Sequence, residues 1–218
     1  MNIHVDLGKN FQQKVMPLNL SAKNRINGAE KENPEIDDML KSTVMIRDKF
    51  CCQYCGFQSE NNLIHHLDDN HLHNDIENLA VIDPLCRYWQ HLELMKDRAV
   101  IAYLPELSGR AVNHLQRTIS HVLKTGNKQE QSEARKVIDW LVSHKVYTEQ
   151  AFNTSSPYDF ADVLTSVEQQ YKNNRIFVFS ELALVFTDYD LFDQLMLNVP
   201  PISEWNKIYT HFLLSNPI

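Results

Sequence analysis

Glycine is scarce in this chain, with five among 218 residues. Folds that cradle phosphate on a Gly-rich loop need several glycines close together, so that backbone N–H groups can approach the anion. Such folds are disfavoured here. No apolar run approaches the ~20 residues needed to span a bilayer. The start, Met1-Asn2-Ile3-His4-Val5-Asp6, lacks a basic region followed by an apolar core, so no secretory signal is expected. Lysine and arginine are missing from Phe57 to Cys86, where six acids stand: Glu60, Asp68, Asp69, Asp75, Glu77 and Asp83. A nucleic-acid backbone is a poor neighbour for such a stretch.

Cysteine is absent outside a window of 36 residues, which holds all four: Cys51, Cys52, Cys55 and Cys86. A disulfide framework would spread them along the chain. Their clustering predicts metal ligation in a reducing compartment, and a cytoplasmic location. Apolar residues make up 43% and charged ones 22%, which fits a soluble globular protein. Net charge is −7, unevenly spread. Arg87 to Lys136 carries nine basic and five acidic residues, and Val137 onward four basic and ten acidic.

Three regions are expected: an N-terminal wrapping segment at 1–33, a metal-binding unit at 34–107 and a helical region at 108–218. Asn33-Pro34 reads as a helix start, with an Asn cap and Pro at the first helical position. Ile36, Met39, Leu40, Thr43 and Val44 follow at helical spacing, predicting a helix over 34–47. Strands are expected at Leu63–Leu67 and Ala99–Leu104, with a turn and helix over Asp83–Lys96. Ser108 caps a helix over 109–124 with Val112, Leu115, Ile119, Val122 and Leu123 inward, and Gly126 ends it. A second helix is expected over 129–145 on Ala134, Val137, Ile138, Leu141 and Val142. A third starts at Ser156-Pro157 with Phe160, Val163, Leu164, Val167 and Tyr171 inward. Ile176–Phe179 fits strand or buried helix, and short helices are expected at 189–197 and 203–214.

Cys52-Gln53-Tyr54-Cys55 aims two thiolates at one point from a tight turn, the geometry tetrahedral zinc requires. Cys86 supplies a third thiolate from a turn running into a helix. Asp83, three residues earlier, stands at the right spacing for the fourth ligand. His91 is the rival, and Cys51 a third possibility. The expected metal set is Cys52, Cys55, Asp83 and Cys86, holding one structural Zn2+. His71, His73, Asp68 and Asp69 are read as a solvated loop. Of His65 and His66, strand alternation places one inward and one outward.

The series Cys-x2-Cys, His65-His66, Asn78-Leu79 and Asp83-Pro84-Leu85-Cys86-Arg87 resembles an HNH nuclease with a zinc-supported ββα-metal core. The resemblance implies an α+β fold, with a treble-clef zinc unit embedded in a mainly helical body. In that family the first of the paired residues binds the catalytic metal, the second activates water and the asparagine orients that strand. His65, His66 and Asn78 fall at those positions. Asp83 replaces the third cysteine and Arg87 the last histidine. A guanidinium has no lone pair for a cation, so the catalytic set is incomplete and no catalytic residue is expected.

Ile46-Arg47-Asp48-Lys49-Phe50, Cys52-Gln53-Tyr54-Cys55-Gly56-Phe57, Asn78-Leu79 and Ala102-Tyr103-Leu104-Pro105-Glu106-Leu107-Ser108 are similar to the IcmJ/DotN proteins of type IVB secretion and conjugation systems. The resemblance covers roughly 36–125. It implies a non-catalytic zinc-containing adaptor subunit of the coupling complex. The implied partners are the cytoplasmic C-terminal extension of a DotL/IcmO-like coupling ATPase and other subunits of that complex. Through them the chain would sit peripherally at the inner membrane. The alternatives are an active HNH endonuclease or nickase, and a nucleic-acid-binding zinc module using the basic Arg87–Lys136 region. Aromatics near the end, Phe177, Phe179, Phe186, Tyr189, Phe192, Trp205, Tyr209 and Phe212, are expected mostly in the core.

Overall fold

The computed structural model describes residues 16–22, 36–68, 70–166 and 175–189. The expected helices at 189–197 and 203–214 lie almost wholly outside these, as do Val167, Tyr171, Phe192, Trp205, Tyr209 and Phe212. Helices and two small antiparallel sheets make a mixed α and β architecture.

Helix α1 spans Asp38–Arg47. The expected start at Asn33-Pro34 lies outside the described residues; the helix itself is capped by Asp37, which accepts from the Leu40 N–H at 3.3 Å. The chain then turns through left-handed backbone at Lys49 and Phe50, φ 54° and 57°, into the Cys52–Cys55 turn. Gly56 closes that turn at φ 77°, a conformation that favours glycine. Strands β1 (Leu63–His66) and β2 (Leu79–Ile82) pair antiparallel, with His65 opposite Ala80 and His66 opposite Leu79. Helix α2 (Pro84–Gln90) follows, capped by Asp83 with Pro84 in its first turn. It ends sooner than Lys96: His91 leaves helical backbone at φ −137°, and a 3-10 turn over Leu92–Leu94 continues the chain.

The second sheet pairs β3 (Ala99–Tyr103) with β4 (Leu182–Phe186). Helices α3 (Gly109–Thr125) and α4 (Lys128–Ser143) pack together, and Asn127 and Glu130 form a capping box at the start of α4. Helix α4 matches the helix expected over 129–145 and ends two residues sooner; a further helix that was not expected, α5 (Lys145–Phe152), begins after His144 and stops at Asn153, left-handed at φ 61°. Helix α6 (Pro157–Ser166) starts at Pro157 as the sequence indicates. Phe160 and Leu164 are buried there, but Val163 is exposed. Residues Arg175–Val178 form a short helix, α7, with Phe177 81% exposed. The apolar run that enters the sheet is instead the following one, Leu182–Phe186, buried throughout.

The main core lies between the β3–β4 sheet and α2, α3, α4 and α6, around Trp89, Ile101, Val112, Leu141, Phe160 and Phe186. Residues 16–22 run alongside without regular structure. Leu20 is fully buried, and Ser21 exchanges backbone hydrogen bonds with Trp89 and Leu92. Gly109 lets α3 approach closely, since a Cβ there would stand 2.8 Å from the Trp89 ring. Among the described residues, no helix is long and apolar enough to cross a membrane.

Candidate metal centre

Cys52, Cys55 and Cys86 are buried, with all three sulfurs within 4.8 Å of one another. The first two come from the turn and the third from the first turns of α2. The turn rests on β2: the Gln53 N–H donates to the Val81 carbonyl and the Gly56 N–H to the Cys52 carbonyl. Two further backbone donors, the N–H groups of Tyr54 and Cys55, point at Cys52 Sγ at 3.4 Å. Cys51 stays outside the group. Its thiol faces the Lys49 carbonyl at 3.4 Å, and it bridges to Gln58.

The electrostatics of the trio suit a cation. Burial opposes charge on Cys52, but donation from the Cys55 and Cys86 thiols and from the backbone of Asp83 and Cys55 holds it down at about 3. Its hydrogen bond to Cys52 pushes the Cys55 thiol up, and burial with the neighbouring sulfurs pushes Cys86 up. These shifts describe one thiolate shared by two thiol donors, and a cation bound among the sulfurs would take the place of the two protons. A zinc ion with Zn–S bonds of about 2.3 Å would draw the sulfurs to roughly 3.8 Å apart. The donor chemistry and spacing therefore fit a thiophilic metal, with Cys52, Cys55 and Cys86 as its ligands.

Asp83 is committed elsewhere. It is 1% exposed. One carboxylate oxygen accepts from the Leu85 N–H at 2.9 Å, capping α2, and the other from Arg117 Nη2 at 2.7 Å. It is not among the donors gathered within 4.8 Å of the sulfurs. Burial pushes its carboxyl up and Arg117 draws it back. His91 is buried, with Nδ1 3.1 Å from Glu93 and its ring against His65. Neither expected fourth donor joins the trio in this arrangement.

Helix α3, expected to turn an apolar stripe inward, meets the turn with polar groups. Asn113 Nδ2 donates to Cys86 Sγ at 3.3 Å, His114 Nε2 stands 3.0 Å from the Cys55 carbonyl, and Arg117 pairs with Asp83. The Arg117 guanidinium also lies 3.6 Å from the centre of the Phe57 ring. A signal was present: Asn113, Gln116, Arg117 and Ser120 recur at the same three- and four-residue spacing as the core positions Val112 and Ile119.

No protein-family model matches this chain, and no curated protein is significantly similar to it.

His65 and His66 are both buried, which corrects the expectation of one inward and one outward. The loop 67–78 folds over the strand face that alternation alone would leave in water. His66 Nε2 meets Asn74 Oδ1 at 2.8 Å with its ring against His71, while His65 faces Tyr54 and His91. Asn78 holds the loop closed, donating to Asp68 Oδ1 and to the His73 carbonyl, both at 2.8 Å. Arg87 is exposed on α2. Arg47 ties α1 to the hairpin, donating to the Ile76 and Leu79 carbonyls at 2.6 Å, and Asp48 accepts from the Val81 N–H.

The loop carries a pH signature. His73 stands between Asp68, 2.6 Å from Nδ1, and Asp75, 3.0 Å from Nε2. These carboxylates raise the His73 pKa, and the His73 contact lowers that of Asp68. The histidine contribution is complete below its unfolded value of about 6.5 and is lost as pH rises through the raised folded value. The aspartate contribution is present above about 3.9 and is lost as pH falls through its depressed value. The pair thus holds the loop best between roughly pH 4 and 6.5. The His73 ring proton followed by NMR should titrate above 6.5, and Asp68→Asn should move the midpoint down. An unshifted midpoint in wild type would contradict this contact.

Proposed function

We propose that this chain is a non-catalytic zinc-containing adaptor of a type IVB secretion or conjugation coupling complex. It would dock on the cytoplasmic C-terminal extension of a DotL/IcmO-like coupling ATPase, and through it lie at the inner membrane. The observation that carries this reading is the contrast between the two halves of the HNH-like motif. The cysteine half is gathered and buried, as a structural metal site requires. The histidine half is closed off: His65 and His66 lie under their loop, and the position of the last histidine holds an exposed arginine. The β1–β2–α2 order behind the Cys52–Cys55 turn is the order an HNH-like unit would have.

Zinc at Cys52, Cys55 and Cys86, with Asp83 as fourth ligand, asks that carboxylate to serve Arg117, Leu85 and the ion together. An ionised carboxylate offers about four acceptor positions, so the demand is chemically reasonable. Bound there, the ion would cross-link the turn to α2 and contribute its binding free energy to the fold. That would fix the surfaces around it for docking.

A row of rings on α4, α5 and β3 offers such a surface. Trp140, His144, Tyr147 and Tyr103 follow one another at 4.8, 6.0 and 6.2 Å, with Trp140 and Tyr147 about half exposed. Exposed aromatic anchors dominate the energetics of interfaces. The test is calorimetric titration with the C-terminal segment of the coupling ATPase. Trp140→Ala should weaken binding by about tenfold or more, a loss of at least ~1.4 kcal/mol, while the fold is kept. No binding by wild type would contradict the adaptor reading, as would magnesium- or nickel-dependent plasmid nicking that disappears in His66→Ala.

A further inference from the structure

Asn113 is fully buried in the second turn of α3, between an indole and a cysteine sulfur. The Trp89 Nε1–H donates to Asn113 Oδ1 at 2.9 Å. An indole nitrogen is a donor only, so it must face the amide oxygen, not the amide nitrogen. That choice fixes the other end of the amide, and Nδ2 faces Cys86 Sγ at 3.3 Å. The orientation therefore follows from chemistry, since the flipped amide would set two donors against each other at Trp89.

The indole is itself immobile. Trp89 is 1% exposed and its ring lies against Gly109, where even a methyl group would not fit. An amide N–H is a donor without accepting capacity, and a neutral thiol is a weak acceptor. A thiolate is a much better one, because hydrogen bonds to ionised acceptors are roughly twice as strong as neutral ones. The Trp89–Asn113 pair thus presents a preset donor to an anionic Cys86, the state in which cysteine binds metal.

We infer that Asn113, oriented by Trp89, is a positioning residue of the metal centre, directing the Cys86 sulfur toward the ion through its amide N–H. This rests on the reading of Cys52, Cys55 and Cys86 as a metal site. Groups that hydrogen-bond to metal ligands typically change metal affinity 10- to 100-fold when removed. By drawing electron density from the sulfur, the same bond should also raise the energy of sulfur-to-metal charge transfer.

The experiment loads the full chain with Co2+ and Zn2+ and reads two quantities. One is affinity by chelator competition, and the other is the energy of the sulfur-to-cobalt absorption band. Asn113→Leu should weaken Zn2+ binding about 10- to 100-fold and move the band to lower energy. Trp89→Phe removes the indole N–H while keeping a ring in place, and should give the same direction of change with a smaller size. It serves if Asn113→Leu does not fold. Gln116→Leu is the control. Gln116 is buried on the same helix but bonds to Leu184 and Phe186 of β4, so its loss should lower thermal stability and leave affinity and band unchanged. Wild-type affinity and band in both Asn113→Leu and Trp89→Phe would overturn this inference alone. A wild-type chain that binds neither ion would overturn the metal reading and this inference with it.

Discussion

Cys86→Ser should lower the thermal midpoint by about 10–20 °C, whereas Cys51→Ser should leave it within a degree or two. The contrast follows from position. Cys86 joins the buried sulfur group, and Cys51 faces a backbone carbonyl outside it. Structural zinc contributes roughly 10–16 kcal/mol in small zinc-finger peptides. Here the metal unit leans on a larger core, so the expected loss is smaller, on the order of 5 kcal/mol. For a chain of this length each kcal/mol moves the midpoint by about 2–4 °C. Cys52→Ser and Cys55→Ser should behave like Cys86→Ser and should weaken partner binding in parallel. Equal midpoints for Cys51→Ser and Cys86→Ser would show that the sulfur group does not hold a stabilising ion.

The second large effect is expected at Arg117. Its guanidinium is 3% exposed and meets the buried Asp83 carboxylate at 2.7 Å, with Phe57 against its face. Arg117→Met removes the cation and strands a charge that burial already disfavours. Breaking a buried pair from one side typically costs 3–5 kcal/mol. Compared in metal-free protein, so that Asp83 does not count as a ligand, the double variant Asp83→Asn, Arg117→Met should recover a large part of that loss, because no unpaired charge remains. Denaturant unfolding of wild type, both single variants and the double variant checks this. Additive single losses, with no recovery in the double variant, would mean that the pair contributes nothing as a pair.

The legible parts of the site were those set by short spacing. Cys52 and Cys55 lie three apart, and a turn of that length brings their sulfurs together whatever surrounds it. Cys86 was expected on a turn running into a helix, which the structure keeps, with Asp83 as the cap of that helix. The burial of both histidines was not legible, because alternation describes a bare strand, and Asn78 folds a loop over this one. Asn113 and Arg117 escaped notice because hydrophobic periodicity assigns polar residues to the solvent side. In α3 the buried face carries Asn113 and Arg117 toward the cysteine turn and Gln116 toward β4, beside the apolar Val112 and Ile119. Strand β4 carried a usable signal, five consecutive apolar residues from Leu182 to Phe186, the pattern of a fully buried strand. The division between α4 and α5 carried none, for neither glycine nor proline stands at His144.

Both the adaptor proposal and the role of Asn113 depend on an ion held by the cysteine group. Metal content by plasma mass spectrometry, on untagged wild type and Cys86→Ser purified without chelator, tests it most directly. The expected result is one zinc per wild-type chain and a clear deficit in Cys86→Ser. Wild-type protein that carries no metal, and takes none up when zinc is supplied, would contradict it.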